Sequence, residues 1–184
     1  MDNGASSYRR FLEGDDNGLV EIIRLYNDGL TLYLNSFVKS ILTADELSEE
    51  TFVRIGVRKP YFSGKSSFKT WLYAIGRNIA IDYLRKTSKI GTICIDDCAE
   101  QADEEILEKS FLKDEQKILL HQAMHQLKPE YAQVLWLIYF EEFTAKEAAK
   151  VMKKSVHSIE NLVSRARHSL KSELEKGGFV YENL

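Results

Sequence analysis

Apolar positions recur at helical spacing along most of the chain, and no stretch sustains a strand-like alternation between turn signals. The pattern predicts an all-α fold. From about Gly18 to Leu42 the periodicity describes one amphipathic helix. Thr43-Ala-Asp-Glu46 then reads as a capping box opening a second, ADELSEETFVRIGVR. Pro60 and Gly64 interrupt the pattern in KPYFSGKSS, and a further helix follows from Phe68 to Lys86. Periodicity lapses between Lys89 and about Asp103, returns near Glu104 and runs to Leu127, where Lys128-Pro129 starts a new helix with proline in its first turn. The segment YAQVLWLIYF is apolar nearly all round, as expected of the buried centre of a second domain. The prediction is therefore two small helical domains, residues 1–89 and 104–184, joined by a linker over residues 90–103.

The helix from Phe68 to Lys86 has two faces. Phe68, Leu72, Ile75, Ile79 and Tyr83 form an apolar stripe, while Trp71, Ala74, Asn78, Asp82 and Arg85 line a second stripe about 100° away. A tryptophan among amide and cationic side chains suits a polyanion whose bases can stack, because aromatics contact bases while Lys and Arg contact phosphates. An ordinary amphipathic helix with a boundary tryptophan would show the same stripes.

A second motif lies near the C-terminus. Thr144-Ala-Lys-Glu147 repeats the capping-box pattern and opens the short helix TAKEAAKVM; Lys153-Lys154-Ser155 and the long helix VHSIENLVSRARHSLKSELEKGG follow. A helix of two turns, a three-residue turn and a second helix is the helix-turn-helix arrangement. Ala149 is the small residue the crossing requires, and Met152, Ile159 and Leu162 are placed for apolar packing. His157, Ser158, Glu160 and Asn161 then face outward near the start of the second helix, followed by Arg165, Arg167 and Lys171. Amide and carboxylate groups there can read base edges, Asn pairing with adenine and Glu accepting from cytosine.

Charge sharpens this picture. The net charge of −3 at first argues against nucleic acid, but it is unevenly distributed: 13 Lys and Arg against 11 Asp and Glu over residues 1–90, 3 against 9 over 91–117, and 9 against 8 over 118–184. The acidity is concentrated in the middle. From Lys153 to Lys171 five cations stand against Glu160 alone, a footprint suited to phosphate. No stretch approaches the ~20 apolar residues of a membrane span, and MDNGASSYRR lacks a signal-peptide core, so a cytoplasmic protein is expected. Cys94 and Cys98, spaced C-x3-C with no nearby histidine, are read as reduced thiols. His121 and His125 are an i, i+4 pair with no Glu placed between them in the His-Glu-x-x-His manner and no third ligand evident. The expectation is of no cofactor, no metal and no enzymatic activity.

Together these segments resemble the extracytoplasmic-function group of bacterial RNA polymerase sigma factors, from about Tyr8 to Leu174. The pattern W-L-x-x-I-x-x-N-x-x-x-D-x-x-R stands here as Trp71, Leu72, Ile75, Asn78, Asp82 and Arg85. ADELSEETFVRI is similar to the family's polymerase-binding helix, and Arg165-Ala166-Arg167 to the end of its −35-reading motif. The resemblance implies that residues 1–89 bind core polymerase and recognise and melt the −10 element, and that residues 104–184 read the −35 element. It implies contacts to the clamp helices of the largest subunit by Asp45, Glu46, Glu49, Glu50, Phe52 and Arg54, and a further polymerase contact at the flap. It implies −10 DNA contacts by Phe62, Lys65, Ser66, Trp71, Asn78, Arg85 and Lys86, and −35 contacts by His157, Ser158, Glu160, Asn161, Arg165, Arg167 and Lys171. Partners so implied are core polymerase, promoter DNA and an anti-sigma protein, with a monomer when free and no membrane insertion.

The chain departs from the family pattern at four places. Ser48 and Glu49 replace a commoner hydrophobic-Gln pair, Lys153 stands where glycine is frequent, Glu160 where lysine is common and Leu162 where arginine is common. The rival reading is a free-standing helix-turn-helix regulator, which would be a homodimer on a palindromic site.

Overall fold

The computed structural model describes residues 3–90 and 115–177, all helix and short connections. Most of the expected linker, Cys94 and Cys98, and the helix expected to start near Glu104 lie outside the described residues. Four helices form the N-terminal unit: α1 (Asn3–Leu12), α2 (Asn17–Val38), α3 (Ile41–Arg58) and α4 (Phe68–Ile90). The C-terminal unit comprises α5 (Glu115–Gln126), α6 (Pro129–Leu135, continuing as a π-helical turn over Trp136–Phe140), α7 (Ala145–Met152) and α8 (Val156–Lys176).

The corner between α2 and α3 differs from its sequence reading. Lys39 adopts the left-handed conformation, φ 51°, and its N–H returns to Asn35 O. Ser40 is then the N-cap of α3, its side chain accepting from Thr43 N–H at 3.4 Å. The capping box expected at Thr43 therefore gives way to a simple N-cap three residues upstream, at Ser40. Both serine and threonine suit an N-cap, and the left-handed turn at Lys39 decides between them.

The apolar stripe of α4 is core: Phe68 and Leu72 are fully buried and Ile79 nearly so, with Ile75 and Tyr83 half-buried. It packs against α2 and α3, which contribute Ile22, Leu30, Leu34, Leu47 and Ile55. At the N-terminal end of α4 the core becomes aromatic. Tyr8 of α1 lies 5.4 Å from Phe68 and 5.3 Å from Trp71, and Phe62 lies 5.6 Å and 5.3 Å from the same two rings. These tilted and edge-on arrangements are the favoured geometries of aromatic pairs.

In the C-terminal unit, Val134, Leu135 and Leu137 are buried, as the apolar run predicts, but Tyr139 and Phe140 emerge at 53% and 45% exposure. The π turn causes this. Glu141 N–H reaches back five residues to Trp136 O, which widens the helix and rotates its last residues outward. The two units are packed together, α7 against α4 and α6 against α2.

Close approach of α1 to α2 depends on Gly18. A Cβ there would stand 2.2 Å from Ser7 O and 2.8 Å from Phe11 N, both backbone atoms that cannot yield without moving a helix. Gly18→Ala is expected to cost about 1–3 kcal/mol by overpacking, read as a lowered thermal midpoint.

Candidate polymerase and nucleic-acid surfaces

Three surfaces carry the predicted residues. The first is α3. Asp45, Glu46, Glu49 and Glu50 are all exposed, and Arg54 pairs with Glu50 one turn earlier at 2.6 Å. Phe52 is buried at 5% exposure and serves the core that holds α3 in place. Ser48, one of the departures from the family pattern, is fully buried and donates to Asn27 Oδ1 of α2 at 3.1 Å. Sequence reasoning missed the apolar part of this face: Leu42, Val53 and Val57 are 62%, 59% and 77% exposed. With Glu46 and Glu49 they form one stripe at i, i+3 and i, i+4 spacing, visible in the sequence only once the core stripe of α3 is known.

The second surface is the 59–67 connection and the polar face of α4. Lys59 turns the chain with φ 44° as the C-cap of α3, and Ser67 starts α4, its Oγ accepting from Thr70 N–H at 3.2 Å. Tyr8 fastens the loop from outside it, donating to Pro60 O at 2.8 Å; burial pushes this phenol up to about 12. Phe62 and Trp71 are half-buried in the aromatic cluster, while the neighbouring Tyr61 stands 86% exposed and was not singled out from the sequence. Lys65, Arg85 and Lys86 are exposed, Ser66 is intermediate, and Arg85 pairs with Asp82 at 3.3 Å. Asn78 is half-buried, and Lys153 of the C-terminal unit donates to its Oδ1 at 2.8 Å.

The third surface is the helix-turn-helix. The Thr144 capping box is complete: its Oγ1 accepts from Glu147 N–H while the Glu147 carboxylate accepts from Thr144 N–H and hydroxyl. Burial alone would raise the Glu147 pKa, but these bonds and one from Ser67 outweigh it and hold the carboxylate below its ordinary range. Ala149, Met152, Ile159 and Leu162 are buried between the helices as predicted. Lys153 occupies the turn with φ 55°, the conformation that glycine adopts at least cost.

The outward residues of α8 divide into two groups. His157, Asn161 and Arg165 share one exposed face, with Asn161 Nδ2 3.0 Å from His157 Nε2. Ser158 belongs to the helix cap, its N–H bonded to Ser155 Oγ at 3.1 Å. Glu160, Arg167 and Lys171 instead line an open groove of about 800 Å³, whose apolar wall includes Met124, Tyr139 and Phe140. Phe140 is stacked on Trp136 at 4.3 Å, which fixes that wall. His121 and His125 lie elsewhere, rings 5.9 Å apart on α5. Among the described residues no group of three or more His, Cys, Asp or Glu could hold a metal, and no helix is long and apolar enough to cross a membrane.

A helical unit with an acidic–apolar face, tied to a second unit with a cationic helix-turn-helix, defines a two-domain DNA-binding protein built to meet a protein partner. Residues 22–90 match the sigma-70 region 2 family and residues 117–170 the sigma-70 region 4 family. The extracytoplasmic-function sigma factor SigM of Bacillus subtilis is 31% identical over 157 residues, 85% of this chain and 95% of that protein. The sigma-H factor of Pseudomonas aeruginosa is 27% identical over 90% of this chain and 91% of its own length. The fold is shared with CnrH solved in complex with the cytosolic domain of CnrY, at TM-score 0.64 and 19% identity over 95% of this chain and 96% of that one. It is shared also with RpoE solved with the anti-sigma factor NepR from Bartonella quintana, at TM-score 0.65 and 19% identity over 84% and 95%.

The chain belongs to the extracytoplasmic-function sigma factors: it binds core RNA polymerase and directs promoter-specific initiation. The free-standing regulator is set aside, since such a protein has no use for a sigma-70 region 2 over residues 22–90.

Thr144→Ala is expected to cost about 1 kcal/mol through loss of the cap. It should also return the Glu147 pKa toward its ordinary range. The stabilisation from that lowered pKa is present above the unfolded carboxylate value and lost as pH falls through the folded one, so the variant's deficit should shrink in acid, checked by thermal melts and NMR titration.

Proposed function

We propose that α3 docks on the clamp helices of the largest polymerase subunit, with Leu42, Val53 and Val57 at the centre of the contact and Asp45, Glu46, Glu49, Glu50 and Arg54 around them. An apolar centre within a charged surround is the usual anatomy of an interface, and the acids steer encounter with a basic partner. Phe52 acts from beneath by holding α3 in place.

The −10 element is read and opened by the 59–67 loop and the polar face of α4. Tyr61 offers the stacking surface, Phe62 and Trp71 the rigid wall behind it, and Lys65, Ser66, Asn78, Arg85 and Lys86 the polar and phosphate contacts. The −35 element is read by His157 and Asn161 with Arg165 on phosphate, while Ser158 supports them as the cap. Glu160, Arg167 and Lys171 face the groove, which receives the polymerase flap. The protein has no catalytic role of its own and acts in the cytoplasm, where the polymerase is. RpoE is solved with an anti-sigma factor and CnrH with the cytosolic domain of CnrY, and an anti-sigma partner binds this chain in the same manner.

The observation that carries this reading is the presence on one chain of an exposed acidic–apolar helix and of a cationic helix-turn-helix. Runoff transcription with core polymerase on a library of genomic fragments tests it. Wild type should initiate at a defined promoter set. Glu49→Lys with Glu50→Lys should lose core binding. Asn78→Ala should bind core normally but open promoters poorly. Arg165→Ala should weaken DNA binding across all sequences and reduce the salt slope by about 1. Initiation unaffected by any of these changes would refute the assignment.

A further inference from the structure

The N-terminal end of α8 is held in a fixed frame. Ser155 caps it, its Oγ accepting from Ser158 N–H at 3.1 Å and lying 2.8 Å from Ser158 Oγ, while Ile159 and Leu162 are buried beneath. With that side seated, His157 and Asn161 stand one turn apart on the exposed face, where side chains four residues apart meet. Asn161 Nδ2 lies 3.0 Å from His157 Nε2.

Only one proton arrangement satisfies this contact. An amide nitrogen donates and cannot accept, so His157 Nε2 must be the acceptor, unprotonated, with the ring's single hydrogen on Nδ1. The bond therefore fixes which way round the Asn161 amide lies. Among the described residues Asn161 Oδ1 and the second Nδ2 hydrogen have no partner, which leaves an acceptor and a donor side by side on an exposed side chain. Adenine supplies the complement, an N6 amine and the N7 lone pair in fixed order along its major-groove edge. Turned over, the same amide would set donor against donor and acceptor against acceptor.

A protonated imidazole forces that turn. With a hydrogen on each nitrogen, Nε2 accepts nothing, and Oδ1 is the only group that Asn161 can offer it. The charged groups around the ring are engaged elsewhere. In the turn before it, Lys153 donates to Asn78 and Lys154 pairs with Glu130 of α6 at 3.1 Å; on α8 itself, Glu160 lines the groove. On α7, Glu147 closes its own cap, Lys150 reaches Lys65 O and Lys146 is exposed, while on α4 Asp82 and Arg85 pair with each other. Among the described residues Asn161 is the hydrogen-bond partner of the ring.

We propose that His157 is a positioning residue for promoter reading: its unprotonated Nε2 holds the Asn161 amide in the orientation that pairs with adenine, so discrimination at that base is made with a neutral imidazole and lost with a protonated one. This rests on the assignment of the exposed α8 face to the −35 element. The two residues divide the work, Asn161 touching the base and His157 setting the side chain that touches it.

The test uses holoenzyme assembled from the full-length protein and core polymerase. It selects from duplex promoters with a randomised −35 element at about pH 8 and about pH 5.5, which span the range where histidine changes charge, and the bound fragments are sequenced. One position should prefer adenine at the higher pH and lose about fivefold of that preference at the lower, the range of a single hydrogen bond. Preferences at the other positions control for the polymerase and for overall affinity. His157→Gln keeps a polar neighbour that does not titrate and should make the preference equal at the two pH values. His157→Lys offers donors alone and should hold it at the low level at both. Asn161→Ala should remove the preference and its pH dependence together. Both side chains are exposed, so these changes leave the fold intact.

A wild-type adenine preference that is equal at the two pH values, that rises in acid, or that still varies with pH in Asn161→Ala would overturn the role given to His157. The two readings fail differently. If Asn161→Ala abolishes one base preference while the His157 variants change nothing, the positioning role alone is lost; if Asn161→Ala alters no position while holoenzyme still initiates, the −35 assignment of this face is lost.

Discussion

Burial of one stripe of α4 is the constraint from which the rest follows. Phe68, Leu72 and Ile79 are removed from water between α1, α2 and α3, each worth about 1.5–3 kcal/mol of transfer free energy. Because side chains advance by about 100° per residue, seating that stripe fixes the direction of every other residue on the helix. Asn78 and Arg85 cannot turn inward without taking the core apart. The same helix meets the aromatic cluster with Phe68 and Trp71 and presents Lys69 and Tyr73 to the second domain. One packed face thus serves the 59–67 loop on one side and the domain contact on the other.

What could be read from sequence was what is local. The α4 stripe, the Thr144 capping box and the packing of Ala149, Met152, Ile159 and Leu162 all depend on residues within a few turns of each other, and all stand as expected. What escaped depends on distant chain segments. Ser40 displaces Thr43 as a cap because Lys39 turns left-handed, a choice that the packing of α2 on α3 settles. Phe62 and Trp71 retreat into the cluster because Tyr8, over fifty residues earlier than Phe62, supplies the third ring, leaving Tyr61 outside. The division of the α8 residues into two faces was latent in their spacing. Without α5 and the π turn, however, nothing marked the side of Glu160, Arg167 and Lys171 as a groove.

Charge on this protein is organised by surface rather than by total. The net −3 conceals an acidic helix exposed on one domain and a cationic helix exposed on the other. Fields of opposite sign on separate faces let one chain present different surfaces to core polymerase and to promoter DNA without either attraction cancelling the other. Exposed pairs such as Arg54 with Glu50 add little to stability at this solvent exposure.

The left-handed lysine in the helix-turn-helix has a consequence for how such a protein can evolve. Glycine at position 153 would relieve the strained backbone of the turn at no steric cost. It would also delete the ammonium that reaches Asn78 on the other domain. Turn comfort and interdomain tethering are thus set against each other at a single codon, and a lineage that changes this residue trades tightness of the corner for freedom between its two halves.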